Sequence, residues 1–375
     1  MPVNRSVRPG TSTNWATAFD RRPIFPIVPG GGVFSIAGMC RVSLSALWLI
    51  SVPDDATPDV QAPSTESARI AFASHRDGNW EVYVTDADGR NQTRLTRRNG
   101  HTRFPLWSPD RSQIAFATQV DDSVHGWELW VMNADGTDAR RLCSGLVAKS
   151  GRAWSPDGKR IALTRSEGDN MDVYVVNVAS GRLSRVTSSA GDDRDPAWSP
   201  DGSRMVFTSE RDGNREVYVA RADGSDVQRL TAHPSRDASP SWSPDGSRIL
   251  FVSARTGTSE LHLMSADGLD VEQLTSGAHS STDLPRWSPD GAYVAFQIAE
   301  GSRYDIGLLR MRDRHQTVLV GTPDSDGSYT WSPDGTRLAY ITGRSGAENL
   351  YVVNIESSRS TRITADWSLT PSWTR

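Results

Sequence analysis

The chain has 375 residues, of which 37% are hydrophobic and 23% charged, and its formal net charge is -4. This composition excludes a fibrous chain, and the weak negative charge argues against a general nucleic-acid binder, which would be basic. The 31 Gly, 21 Pro and 13 Trp favour an all-β protein with many short strands and turns. The two cysteines, Cys40 and Cys143, are too few for a disulfide framework.

The first 66 residues precede the regular part of the chain, and we interpret them as a leader. Residues 1–32 are rich in Pro, Gly, Arg and Ser, which predicts disorder. Residues 33–52 form an apolar segment, and residues 53–67 resemble a linker. Three interpretations stay open: a signal peptide or membrane anchor, a misassigned start with Met39 beginning a shorter signal peptide, or a disordered tail without targeting function.

From residue 67 onward, one short motif returns every 42 to 47 residues. The string Trp-Ser-Pro-Asp-Gly begins at Trp154, Trp198, Trp242, Trp287 and Trp331. A variant, Trp-Ser-Pro-Asp-Arg, begins at Trp107, and a truncated copy ends in Trp373. Repetition at a fixed period is typical of a repeat architecture, so the same structural unit is expected seven times.

Each period predicts four strands, A to D. Strand A ends at the Trp, and strand B is an apolar run such as Ile249-Leu250-Phe251. Strand C follows, as in residues 81–84, and strand D ends in Leu-Thr or a similar pair. The Ser-Pro-Asp-Gly turn joins A to B, because Pro fixes φ and Gly tolerates positive φ. Arg111 replaces that Gly once, at an expected cost of about 1 kcal/mol.

A four-stranded unit of about 44 residues is typical of a β-propeller blade. Strands B, C and D each occur seven times, but the seventh strand A lies at the chain's end, around Trp373. We therefore predict an all-β fold: a seven-bladed β-propeller over residues 67–375, whose C-terminal strand closes the ring as strand A of the first blade. The repeated Trp residues are expected to pack between blades.

These motifs resemble the TolB-type β-propeller repeat family. Residues 209–231, from Ser-Glu-Arg-Asp-Gly-Asn-Arg-Glu-Val-Tyr to Arg-Leu-Thr, are the most similar, and the resemblance extends over residues 69–375. It implies a propeller and, for function, a periplasmic protein that binds partners of the Tol–Pal envelope system. TolB itself has six blades and a separate N-terminal domain. Seven-bladed lyases that act on oligouronides through a bound metal resemble the chain more distantly.

Strand alternation predicts that B–C loops and D–A crossovers share one face of the propeller. These loops vary among the repeats, and variable loops on a rigid scaffold are where binding usually occurs. Converging His and carboxylate side chains there could hold a divalent metal or an anionic sugar, or could merely cap turns. The residues predicted to line this channel mouth are His101, Arg103, Asp193, Asp195, His233, Asp237, His279, Asp283 and Asp326.

The sequence offers no nucleophile or phosphate-binding motif: neither Gly-x-Ser-x-Gly nor His-Glu-x-x-His occurs. We therefore predict a non-enzymatic, monomeric scaffold without a cofactor, located outside the cytoplasm, that binds a protein or envelope component through its variable loop face and no nucleic acid. Two alternatives stay open. One is a metal-dependent propeller that processes glycans or oligouronides, and the other is a cytosolic sensor or scaffold domain.

Overall fold

The computed structural model describes residues 68–121, 126–147, 151–168, 170–276, 280–343 and 348–374, with only the backbone described at 280–284. The predicted leader, its apolar segment 33–52 and the predicted boundary at residue 67 lie outside these residues. The chain divides into two units, Met1–Gln61 and Ala62–Arg375, and everything described belongs to the second. Within the described ranges we find no helical segment whose length and hydropathy would let it cross a membrane.

The described residues form seven four-stranded antiparallel units, which we call blades 1 to 7. Blade 1 contains β28 (Ser368–Trp373), β1 (Arg69–Ser74), β2 (Glu81–Asp86) and β3 (Thr93–Arg94). Blade 2 contains β4 (Thr102–Trp107), β5 (Gln113–Gln119), β6 (Trp127–Asn133) and β7 (Arg140–Leu146). Blade 3 contains β8 (Arg152–Trp154), β9 (Arg160–Glu167), β10 (Asn170–Asn177) and β11 (Leu183–Arg185), and one β7–β9 pair joins it to blade 2.

The remaining blades repeat this order. Blade 4 contains β12 (Asp193–Trp198), β13 (Arg204–Ser209), β14 (Glu216–Arg221) and β15 (Gln228–Arg229). Blade 5 contains β16 (Asp237–Trp242), β17 (Arg248–Ser253), β18 (Glu260–Ser265) and β19 (Glu272–Gln273). Blade 6 contains β20 (Ser280–Trp287), β21 (Tyr293–Glu300), β22 (Arg303–Arg310) and β23 (His315–Val320). Blade 7 contains β24 (Asp326–Trp331), β25 (Arg337–Thr342), β26 (Asn349–Asn354) and β27 (Ser360–Arg362).

The last strand completes the first blade. β28 pairs with β1 through Ile70↔Trp373 and Ala73↔Leu369, and the backbone N–H of Thr374 donates to the Arg69 carbonyl at 3.0 Å. β28 also contacts β24 and β4, the first strands of the two neighbouring blades. The chain's end therefore lies among the innermost strands, in the pairing that the repeat count predicted.

The antiparallel order fixes two faces. The A–B and C–D turns lie at one end of every blade, which we call the turn face, and the B–C loops and D–A crossovers lie at the other, the loop face. The A–B turns are locked locally: in blade 5, Ser243 Oγ donates to Asp245 Oδ1 at 2.5 Å, and Gly246 has φ +72°. Arg111 has φ +63° at the equivalent position, as its place in the motif predicted.

The repeated Trp residues fill the space between blades. Trp107 packs with Ala71, Val82 and Val84 of blade 1 as well as with strands of its own blade. Trp198 adds a directional contact, because its Nε1–H donates to the Ala153 carbonyl of blade 3 at 3.1 Å. This confirms the predicted role of the Trp residues as a core between blades rather than a surface for ligand stacking.

A bulge interrupts the innermost strands near the loop face. The register shifts between the fourth and the first residue before the Trp, as between Arg194 and Ala197. The third residue before the Trp has positive φ, as in Phe104 (+58°), Asp195 (+55°) and Thr370 (+49°). Bulges re-aim side chains and are frequent beside sites, so the residues at this bulge are candidates for a site.

Candidate functional site

Asp193 and Asp237, two of the predicted carboxylates, are each paired with an arginine of their own blade. Asp193 accepts hydrogen bonds from Arg211 Nη2 at 3.1 Å and from Ser189 Oγ at 2.9 Å. Asp237, in the equivalent position of blade 5, accepts from Arg255 Nη2 at 2.7 Å. Both side chains are fully buried. Each Arg–Asp pair therefore ties the start of an inner strand to the end of the strand beside it.

Asp326 and Asp195 also accept hydrogen bonds from neighbouring residues of the propeller. Thr322 donates to the buried Asp326 carboxylate through its backbone N–H at 3.1 Å and its hydroxyl at 3.0 Å. Burial raises the pKa of Asp326, although hydrogen bonds from Thr342 and Thr322 oppose the shift. Asp195 Oδ1 accepts from the Gly151 N–H at 3.3 Å, which joins blades 3 and 4.

The remaining predicted ligands do not assemble with these carboxylates in the part of the chain that is described. His233 shapes its own loop: its backbone N–H donates to Glu216 Oε1 at 2.8 Å, and its Nδ1 accepts from the Ser235 N–H at 3.0 Å. His279 lies outside the described residues, and only the backbone of Asp283 is described. Among the described side chains, no three His, Cys, Asp or Glu come close enough to hold a metal ion.

The structure instead groups aromatic and cationic side chains on the loop face of blades 1 and 2. We call His75, Trp80, His101, Arg103 and Trp367 the mouth cluster. The rings of His75 and Trp80 lie 5.4 Å apart, and those of His75 and His101 lie 6.5 Å apart. The Arg103 guanidinium lies 4.7 Å from the centre of the Trp80 ring. Two predicted residues, His101 and Arg103, therefore belong to one contiguous group of side chains.

The orientation of His101 is set by Asn79. The Asn79 amide nitrogen donates to the carbonyls of Arg98 at 2.9 Å and Gly100 at 3.2 Å, so its oxygen must face the imidazole. That oxygen lies 2.6 Å from His101 Nδ1. Because an amide oxygen can only accept, Nδ1 carries the proton and the ring is held in one orientation.

Arg103 has a buried hydrogen-bond donor without a described acceptor. Its Nε is buried and donates no hydrogen bond to any described group. Burial lowers the pKa of the guanidinium, and the charge of Glu348 opposes that shift. Burial likewise raises the pKa of Glu348, and the positive charge of Arg103 opposes this shift. The equivalent arginine of blade 4, Arg194, has the same buried Nε without a described acceptor, so this feature belongs to the inner-strand position and not to the cluster alone.

Trp367 supplies the exposed apolar part of the cluster. Its side chain is 52% exposed. Its backbone carbonyl accepts from the His75 N–H at 3.1 Å and from Ser74 Oγ at 2.9 Å, so it is fastened to the B–C loop of blade 1. The crossover into β28 therefore carries an exposed tryptophan whose backbone is fixed to the loop that contains His75.

Sequence reasoning missed His75, Trp80 and Trp367, although a signal was present. Residues 74–81 read Ser-His-Arg-Asp-Gly-Asn-Trp-Glu, whereas residues 209–216 read Ser-Glu-Arg-Asp-Gly-Asn-Arg-Glu. The two segments differ only where blade 1 has His75 and Trp80. Comparing the repeats with one another, position by position, would have found both residues.

The turn face carries two shallow grooves. One, of about 420 Å³, lies between the C–D turns of blades 7 and 1 and is lined by Asp88, Asn354 and Arg359 among others. The second, of about 400 Å³, lies at Tyr293 and Arg310 of blade 6. Because variable loops on a rigid scaffold are where binding usually occurs, we place the candidate site on the loop face.

Comparison with known proteins agrees with this architecture. Residues 119–283 match the family model of the TolB beta propeller domain. A 56-residue segment is 38% identical to the Tol-Pal system protein TolB of Desulfosudis oleivorans, and it spans 15% of this chain and 13% of that protein. TolB from Acinetobacter baumannii superposes with a TM-score of 0.52 at 20% identity, covering 79% of each chain.

Enzymes share the same architecture. An oligogalacturonate lyase in complex with manganese superposes with a TM-score of 0.62 at 17% identity, covering 77% of this chain and 87% of that one. A puromycin hydrolase gives a TM-score of 0.62 at 17% identity, covering 79% of this chain and 52% of that one. At such identities the likeness shows the fold alone. Together with the repeat motif and the family model, it establishes that this chain forms an all-β propeller of the TolB type.

Proposed function

We propose that this protein is a non-enzymatic scaffold that binds a protein component of the cell envelope through its mouth cluster. The observation that supports this most directly is the contact of His75 and Arg103 with the Trp80 ring, together with the half-exposed Trp367, whose backbone is hydrogen-bonded to the same loop. Trp and Arg side chains that are clustered and partly desolvated are typical of the energetic centres of protein interfaces. The TolB-type fold supports a binding role, and the resemblance to the Tol–Pal system favours a location outside the cytoplasm.

The proposal is tested by placing a photo-crosslinking amino acid at single positions of the full-length chain in native cells. Trp367 on the loop face is the test position. Leu269, which is 63% exposed in a C–D turn of the opposite face, is the matched control. We expect one discrete crosslinked protein from position 367 and none from position 269. Equal crosslinking from both faces, or none from position 367, would contradict the proposal.

The metal-dependent alternative has its own test. The described residues hold no three-ligand cluster, but His279 is not among them. Metal analysis of the purified full-length protein, with a His233→Ala/His279→Ala double variant as control, separates the two functions. Stoichiometric Mn or Ca that is lost in the double variant would replace the scaffold proposal with the glycan-processing one.

A further inference from the structure

The outer strands, strand D of each blade, differ in how much open sheet edge they offer. β3, β15 and β19 are two residues long, and β11 and β27 are three, so their open edges are short. β7 has seven residues, but its far end pairs with β9 of blade 3 through Leu146↔Arg165. β23 has six residues, and its one strand partner among the described residues is β22. Blade 6 therefore has the longest unpaired edge.

Arginine protects the outer strand of other blades, but not β23. In blade 4 the register places Arg229 opposite Tyr218, and Arg229 Nη2 lies 3.1 Å from Glu216 Oε1. Blades 1, 2, 3 and 7 have an arginine at the same register position: Arg94, Arg141, Arg185 and Arg362. In blade 6 this position is Val318, which faces Gly307 and is 50% exposed. No residue of β23 is Asp, Glu, Lys or Arg. A long, uncharged edge strand is prone to pair with a strand of another chain.

The backbone of Val318 is directed to the open side of the sheet. In blade 4 the Leu230 N–H donates to the Val217 carbonyl at 2.8 Å, so the residue before it, Arg229, directs its own N–H and C=O away from β14. Val318 occupies the position of Arg229, and its strand pairs regularly with β22 from residue 315 to 318. Alternation along the strand directs the backbone of Gln316 outward as well. β23 can therefore donate to and accept from an added strand.

The charges that flank β23 favour a second copy of this chain as that strand. Arg312 lies six residues before Val318, and its side chain is 76% exposed, although it contacts Asp313 at 3.8 Å. Asp324 lies six residues after Val318 and is also exposed. A two-fold antiparallel pair centred on Val318 brings Arg312 of each copy towards Asp324 of the other, and it places the two exposed valines side by side. A parallel pair would instead oppose like charges.

We propose that two copies of this protein associate through β23, with the two strands antiparallel and centred on Val318. The four-stranded sheets of the two copies of blade 6 then form one continuous sheet. This inference does not rest on the proposed function, because the mouth cluster belongs to blades 1, 2 and 7. The sequence analysis expected a monomer, so the mass of the protein in solution decides between the two.

Sedimentation velocity of the purified full-length protein, over a series of concentrations, measures the association. We expect the wild type to have the mass of two copies at high concentration and to dissociate on dilution. Val318→Arg introduces the arginine of the other blades, so it should fold normally and raise the dissociation constant about tenfold or more. Gln273→Arg, at the same register position of blade 5, is the matched control and should change nothing. A wild type that stays monomeric, or equal effects of both variants, would overturn the inference.

Charge exchange tests the orientation and does not depend on how well Val318→Arg folds. Arg312→Asp and Asp324→Arg should each weaken the association about threefold at low salt, because each creates two contacts between like charges. The double variant Arg312→Asp/Asp324→Arg should restore the wild-type association. A double variant that associates no better than either single variant would overturn the antiparallel pairing.

A photo-crosslinking amino acid at the exposed Thr317 identifies the occupant of the edge in native cells. We expect a crosslinked product that contains two copies of this chain. A crosslink to a different protein, with none between copies, would overturn the assignment to a second copy and indicate that a strand of another protein pairs with β23.

Discussion

The rings of His75 and Trp80 lie 5.4 Å apart, tilted by 57°, at the place where blade 4 has an ion pair between Glu210 and Arg215, whose closest atoms lie 2.9 Å apart. The surrounding residues of the two loops are identical. A conserved loop framework thus presents a charged pair in one blade and an aromatic pair in another. The exchange changes what the loop offers to a partner without changing how the loop folds.

Grafting the blade 4 pair onto blade 1 should separate binding from folding. We expect His75→Glu/Trp80→Arg to keep the fold, because the loop that holds the pair is the same in both blades. Crosslinking from position 367 should fall strongly, because the support beneath Arg103 disappears. The reciprocal variant Glu210→His/Arg215→Trp is the control and should leave crosslinking unchanged. A similar loss in both variants would show that the pair acts through stability alone.

The architecture was predictable because the same constraint occurs in every repeat. The Trp, the Ser-Pro-Asp-Gly turn and the apolar strand each solve a packing problem that every blade shares, so their period identifies the unit. The buried carboxylates Asp193 and Asp237 belong to that shared framework. In the sequence they precede the repeated Trp just as a residue lining the channel mouth would, so the sequence could not distinguish the two roles. The mouth cluster was harder to predict, since it depends on contacts between residues of blades 1, 2 and 7 that no single repeat contains.

Arg111 offers a direct test of the turn geometry. Its φ of +63° is a conformation that glycine adopts freely, and the equivalent residues Gly158 and Gly202 have φ of +68° and +69°. Arg111→Gly should therefore raise the free energy of unfolding by about 1 kcal/mol. The converse variant Gly158→Ala should lower it by a similar amount, because the added Cβ meets no atom closer than 3.9 Å and the cost is conformational. Denaturant unfolding of both variants measures the effect.

Two Trp residues in equivalent positions should respond differently to the same substitution. Trp198 and Trp242 are equally buried, and an arginine lies over each ring, at 4.6 Å and 4.8 Å. Trp198 Nε1–H donates to the Ala153 carbonyl, whereas the buried Nε1 of Trp242 has no described acceptor. Trp198→Phe should therefore cost about 1 kcal/mol more than Trp242→Phe. Equal costs in denaturant unfolding would mean that the hydrogen bond between blades contributes nothing.

His262 predicts a pH dependence of stability, because an imidazole stands where blade 4 has a tyrosine. It is buried against Phe251 at 5.6 Å, where blade 4 stacks Tyr218 on Phe207. Burial lowers the pKa of His262 below its ordinary value of 6.5, with a smaller contribution from Arg255, while Glu260 and Asp237 oppose the shift. The folded protein therefore binds the proton less readily than the unfolded chain, and the stability that His262 contributes above pH 6.5 is lost as the pH falls.

Replacing His262 by the tyrosine and aspartate of blade 4 should remove this loss of stability at low pH. In blade 4 the Tyr218 hydroxyl donates to the Asp212 carboxylate, and Thr256 lies at the position of that acid in blade 5. We expect the unfolding free energy of Thr256→Asp/His262→Tyr, relative to the wild type, to increase as the pH falls from 8 to 5. The single variant Thr256→Asp is the control. A difference in unfolding free energy that stays constant over this range would show that His262 does not titrate differently in the folded and unfolded states.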